Sequence, residues 1–109
     1  MLELLQERDA RRQSLRVTEW HEVRERLRTV LHRHLPGAKV WLFGSVLECG
    51  RFNAASDIDL ALEAYPQEMS IYTLTGLIEE EMGRPVDVVI LPESRLRNKI
   101  ISQGEAWIA

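Results

Sequence analysis

Lys39-Val40-Trp41-Leu42-Phe43-Gly44-Ser45 and, after an eleven-residue connection, Asp57-Ile58-Asp59-Leu60-Ala61-Leu62 decide how this chain folds. The first stretch is a short apolar run that enters a glycine-serine turn, the pattern of a buried strand with a sharp exit. The second alternates, so Asp57 and Asp59 share one face of a strand while Ile58, Leu60 and Leu62 face a core. A third apolar run, Val86-Asp87-Val88-Val89-Ile90, places one more acid in a strand of otherwise buried character.

Working outward, the chain alternates between the two periods. Helices are predicted over residues 2–13, where Leu2, Leu4, Leu5 and Ala10 form a loose stripe, and then from Thr18 as N-cap to the stop at Pro36-Gly37. Trp20, Val23, Leu27, Val30 and Leu31 repeat at helical spacing in the second of these. Strands are predicted over 39–43, 57–63 and 86–91, and helices over 70–82 and 93–103, ended by Gly83 and Gly104. The order is helix, helix, strand, strand, helix, strand, helix, which implies an α/β (α+β) domain with a small mixed sheet flanked by helices. The 109 residues suit one domain, with residues 1–16 as a helical arm and 17–109 as the core.

Composition narrows the classes. Hydrophobic residues make up 45% and charged residues 28%, and no apolar run is long enough to span a bilayer. Glu3, Glu7 and Asp9 argue against a signal peptide, and the lone Cys49 leaves no internal disulfide, so a reducing cytoplasm is expected. Residues 1–36 hold eight arginines against six acids, whereas the remainder is acidic, unlike a general nucleic-acid binder. Arg24, Arg26, Arg28 and Arg33 alternate with Glu19, Glu22 and Glu25, the pattern of a solvated helix face. His21, His32 and His34 have no metal-ligand spacing, Glu79-Glu80-Glu81 reads as an exposed helix side, and Trp20, Trp41 and Trp107 read as core or interface anchors.

The chemistry sits in the acids and the turn. Same-face neighbours on a strand lie about 6.6 Å apart, close enough for carboxylates to converge on metals separated by about 3.5–4 Å. Oxygen-only ligands suit Mg²⁺, which completes its shell with water and substrate phosphates. Asp87, in a strand that should be largely buried, needs a cation or strong hydrogen bonds; the alternative is an exposed strand start paired with Arg84. A helix opening at Ser45 would turn its free N–H groups and positive end toward a phosphate, and the serine hydroxyl would add a donor; a plain N-cap serine is the alternative.

Together these residues resemble the nucleotidyltransferase superfamily that includes DNA polymerase β, and most of all its minimal members encoded beside HEPN-domain proteins. The resemblance spans about residues 41–90. It implies that Gly44 and Ser45 bind a triphosphate, that Asp57 and Asp59 hold two Mg²⁺ ions, and that Asp87 serves the ion on the side of the attacking hydroxyl. It implies in-line transfer of NMP from ATP or another NTP to a hydroxyl, with release of pyrophosphate. Among minimal members the acceptor is a tyrosine of a HEPN toxin, which makes such proteins antitoxins. A non-catalytic nucleotide- or partner-binding module and a small-molecule, aminoglycoside-type transferase working as a homodimer or hetero-oligomer are the alternatives. One departure stands out: Val46-Leu47-Glu48-Cys49 supplies four residues between Ser45 and Gly50, where the family has three including an arginine. Arg51 is the candidate replacement cation.

Overall fold

The computed structural model describes residues 2–109, with side chains from Gln6 onward, so the stripe expected from Leu2, Leu4 and Leu5 lies outside the described side chains. The two N-terminal helices expected from the sequence are one, α1 (Leu2–His34). No proline or glycine interrupts it, and Thr18 caps nothing: its hydroxyl donates to the Ser14 carbonyl at 2.9 Å. Such back-bonding one turn earlier lets a threonine sit inside a helix. At 33 residues the helix extends about 50 Å, close to the 57 Å longest dimension of the molecule. Residues 6–19 are exposed on every side, Ala10 included, and packing begins at Trp20. The run stops at Pro36-Gly37, where Gly37 adopts φ +79.

The sheet has four strands in the order β3-β2-β1-β4. Strand β1 (Lys39–Phe43) pairs antiparallel with β2 (Ile58–Leu62) on one side and with β4 (Glu105–Ile108) on the other. β3 (Val86–Ile90) lies parallel to β2, and α2 (Ile71–Met82) makes the crossover that a parallel pair requires. Ser70 caps α2 by accepting from the Thr73 N–H, and Gly83 ends it in the left-handed region. The last helix, α3 (Arg97–Gln103), is shorter than expected because residues 91–93 form a separate 3₁₀ turn containing Pro92. Strand β4 was not expected.

Alternation along the strands divides the interior. Val40, Leu42, Ile58, Leu60, Leu62, Val86 and Ile90 face Leu27 and Leu31 of α1 and Leu74 and Ile78 of α2 in the main core. On the opposite face Ala61, Leu91 and Ile100 pack with Trp41, Phe43 and Val89 beneath α3. Leu42 is completely buried at the centre of the main core. Leu42→Ala is expected to lower unfolding free energy by about 2–5 kcal/mol, as large-to-small changes in packed cores do; a denaturant titration reads this directly.

The arginine-rich stretch of α1 is solvated as its charge pattern implies at Arg26, Arg28 and Arg33, whereas Arg24 is partly buried, and the ion pairs formed reach other elements. Arg24 lies against the rings of Trp20 and Trp107, at 4.8 and 5.2 Å, and Arg28 covers Trp107 at 4.2 Å. Arg24 also pairs with Glu105 of β4. Arg33 and His34 both pair with Glu81 of α2. Glu79 accepts the Val86 N–H, so of the three consecutive glutamates Glu80 alone is fully exposed. The partners sit on other elements, so these charges fasten α1 to the sheet and to α2. Trp107 is buried and Trp20 and Trp41 are partly so, as core anchors should be.

Candidate active site

Strand register brings the acids to one end of the sheet. Asp59 and Asp87 are directly opposite each other in the β2–β3 ladder, and Phe43 is opposite Asp59 in the β1–β2 ladder. Asp59 shares its sheet face with Ala61, and Asp87 shares its face with Val89, so both acids lie on the α3 side. Asp57 stands two residues before Asp59, just ahead of the first residue of β2, and is exposed. Asp59 is half-buried. Burial raises its pKa above the ordinary value, and the negative charges of Asp87 and Asp57 raise it further.

Asp87 departs from one expectation. It is exposed rather than buried, so desolvation does not demand a cation beside it. Nor does it pair with Arg84, which turns toward Glu19 and the backbone carbonyls of Asn53 and Ser56. What joins Asp87 to the other two acids is their mutual repulsion, centred on Asp59.

Gly44 ends β1 and starts a 3₁₀ turn, Gly44–Leu47. The α-helix expected at Ser45 does not form, and Ser45 is not an N-cap; the chain returns to an extended conformation at Glu48, two residues before Gly50. A single 3₁₀ turn has little of a helix dipole, so any phosphate-binding capacity here rests on local N–H groups and the Ser45 hydroxyl. That hydroxyl makes no hydrogen bond among the described residues. The turn is held from behind: the Trp20 indole N–H donates to the Val46 carbonyl at 2.8 Å, and Arg24 donates to the same oxygen at 3.4 Å. Gly44 has φ +75, and a Cβ there would overlap Asp59 Oδ2. Turn and acid are therefore fitted to each other.

A cleft of about 400 Å³ opens over this end of the sheet, lined by Gly44, Glu48, Arg51, Asp59, Asp87 and Lys99 among others. Asp59 and Asp87 lie on the strands, Glu48 and Arg51 on the 48–51 segment and Lys99 on α3. Arg51, the expected replacement cation, does reach the cleft, where it pairs with Glu48 at 3.6 Å. Lys99 is inconspicuous in the sequence. It sits in a helix whose Ile100 is core, and only the packing of α3 across β1 turns its neighbour toward the acids. A second cleft, of about 410 Å³, lies at the opposite end of the sheet by Lys39 and Leu62 and contains none of the three aspartates.

A metal fits this end of the sheet by donor chemistry. Three neighbouring carboxylates, two of whose charges raise the pKa of Asp59, suit a hard divalent cation, which would relieve the repulsion at Asp59. Among the described residues, however, no three acid, imidazole or thiol groups are gathered tightly enough to hold an ion as they stand. The exposed Asp57 and Asp87 side chains have room to turn toward Asp59.

Residues 25–108 match the family described as Polymerase beta, Nucleotidyltransferase. The chain belongs to that family. The match takes in the Gly44 turn, all four strands, α2 and α3, and leaves out the chain before residue 25 and Ala109. This polymerase β-type nucleotidyltransferase domain is also similar in fold to a solved toxin-antitoxin structure with AMP-PNP. The TM-score is 0.59 and identity 22%, over 78% of this chain and 73% of that one. No curated protein matches the sequence. Among the described residues no helix is long and apolar enough to cross a membrane.

Proposed function

We propose that this domain is a Mg²⁺-dependent nucleotidyltransferase that moves AMP from ATP to a hydroxyl, the acceptor being a tyrosine of a HEPN-type toxin for which it is the antitoxin. What supports the reading is that Asp59 stands opposite Asp87 beside the Gly44 turn, with Gly44, Asp59 and Asp87 lining a single cleft; Asp57 and Ser45 adjoin that cleft in the chain without lining it, and the Asp57 charge acts on Asp59. The family supports nucleotidyl transfer, and the toxin-antitoxin assembly with AMP-PNP supports a protein partner and an adenine nucleotide.

In this reading the Ser45 hydroxyl and nearby N–H groups receive the triphosphate, while Lys99 and Arg51 face its outer phosphates across the cleft. Asp57 and Asp59 would hold two Mg²⁺ ions and Asp87 one of them. When bound, the ions neutralise the triphosphate and lower the pKa of the attacking hydroxyl. The acceptor oxygen bonds to the α-phosphorus, the α–β bridging P–O bond breaks, and pyrophosphate leaves. Asp87, exposed at the cleft, accepts the acceptor's proton. The exposed stretch of α1, residues 6–19, is the surface left for the partner, with residues 1–16 as a docking arm and 17–109 as the catalytic core.

A second reading, a module that grips its partner without turnover, is favoured by the lengthened segment before Gly50 and by the ungathered carboxylates. Incubation with Mg²⁺ and α-labelled ATP, with and without the protein encoded next to it, separates the two. Label on a tyrosine of the partner is expected. Tight partner binding without label would establish the second reading, and label on an aminoglycoside a small-molecule transferase.

A further inference from the structure

We infer that Arg84 is a positioning residue for the acids, tying the backbone at Asp57 to the entry of β3 so that Asp57 can share a metal ion with Asp59 and Asp87. The inference rests on the reading of those three acids as a metal site. Arg84 lies two residues ahead of β3, the strand that bears Asp87, and its side chain is 11% exposed. Its Nη1 donates at 3.1 Å to two carbonyl oxygens, those of Asn53 and Ser56. The Ser56 carbonyl belongs to the peptide unit immediately before Asp57. On the other side of Asp57, the Ile58 N–H donates to the Pro85 carbonyl at 3.0 Å. The dipeptide Arg84-Pro85 therefore holds the backbone both before and after Asp57, and leads directly into the strand that carries Asp87.

Two further contacts fix the guanidinium itself. It lies over the ring of the buried Phe52 at 4.4 Å, and Nη2 approaches Glu19 of α1 at 3.5 Å. The loop it grips is already folded on itself. Asn53 Oδ1 accepts the Ala55 N–H, Ser56 Oγ accepts the Asn53 N–H, and the Asn53 carbonyl accepts the Ser56 N–H. Arg84 thus holds a preformed turn as one piece and sets its angle to the sheet. The guanidinium serves both carbonyls through Nη1, faces Glu19 through Nη2 and stacks its plane on Phe52, and the single nitrogen of a lysine cannot do all three at once. Without the clamp the turn is no longer tied to the sheet and opens more readily, so Asp57 is no longer held at a set distance from Asp59.

The test uses the full chain, with Mn²⁺ as the probe ion, followed by its paramagnetic signal. Arg84→Ala and Arg84→Lys are expected to weaken Mn²⁺ binding by roughly 10–100-fold, the range typical of groups that orient metal ligands. Amide hydrogen exchange over residues 53–58 should quicken while exchange in the main core stays as in the parent. Added guanidinium should restore part of the affinity to Arg84→Ala. Unchanged Mn²⁺ affinity in the variants overturns the inference, as does loosening of the 53–58 segment without loss of affinity. If the parent chain itself binds no Mn²⁺, the metal reading of the acids fails, a result distinct from a parent that binds and variants that bind equally well.

Discussion

Asp59→Asn is expected to abolish nucleotidyl transfer and, at neutral pH, to make the metal-free protein more stable. The two effects share one cause. Asp59 is half-buried between Phe43 and Asp87 in the ladder, and its pKa is raised first by burial and then by the charges of Asp87 and Asp57. A carboxylate in that setting is suited to a cation and poorly placed without one. Replacing it with the isosteric amide removes a ligand and a negative charge together. Transfer should fall by at least about 100-fold, the scale seen when one preorganised charge-stabilising group is lost.

Stability should move the other way. A carboxyl whose folded pKa lies above its unfolded value of 3.8 binds its proton more tightly when folded. Its contribution is complete below that unfolded value and is lost as pH rises through the higher folded one. Asp59→Asn has no such loss, so its Tm should exceed the parent's at pH 7 and the difference should close at acid pH. High salt should shrink the gap, because the repulsion is partly exposed to solvent. Excess Mg²⁺ should reverse the order by stabilising only the parent, by about 2.7 kcal/mol at about 100 times its dissociation constant. A variant that keeps its transfer activity, or melts below the parent without metal, would show that Asp59 belongs to the scaffold and not to the site.

How far the sequence reveals this protein depends on the kind of signal each part carries. The strands carrying the acids are legible because two-residue alternation and a glycine exit are local features, and their ends fall within a residue or so of the expected ones. The joining of two expected helices into α1 is not, since a cap-type threonine at 18 and a back-bonded interior threonine look the same until the Ser14 carbonyl is placed. β4 escapes for a different reason: only Trp107 of its four residues is buried, and an edge strand shows its pattern only against its partner β1. The same limit applies to the charges. Arg24 and Arg28 carry helical ion-pair spacing, yet their partners are Trp107 and Glu105, more than seventy positions along. Asp57, Asp59 and Asp87 could be chosen from the sequence because acids in apolar strands are conspicuous. Lys99 could not, because an exposed lysine on a short helix is ordinary until tertiary packing sets it over a cleft.

Gly44→Ala offers the sharpest separation of scaffold from site. Gly44 and Gly37 both adopt positive φ, +75 and +79, where an alanine costs about 1–2 kcal/mol from its Cβ alone. Their surroundings differ. A Cβ at Gly37 meets nothing within 4 Å, whereas at Gly44 it would overlap Asp59 Oδ2. That atom is the free end of a side chain, so the overlap is relieved by rotating Asp59 at little cost to the fold. Gly37→Ala and Gly44→Ala should therefore lose similar stability, within about 1 kcal/mol of each other in a denaturant titration. Transfer should persist in the first and fall by roughly 100-fold in the second, because a displacement of about 1 Å at a reacting centre is worth that much. The loss should appear as weaker Mn²⁺ binding in Gly44→Ala alone, since the residue moved is an acid and not the backbone of the turn. Equal activity in the two variants would mean that the close approach of Gly44 to Asp59 serves packing only.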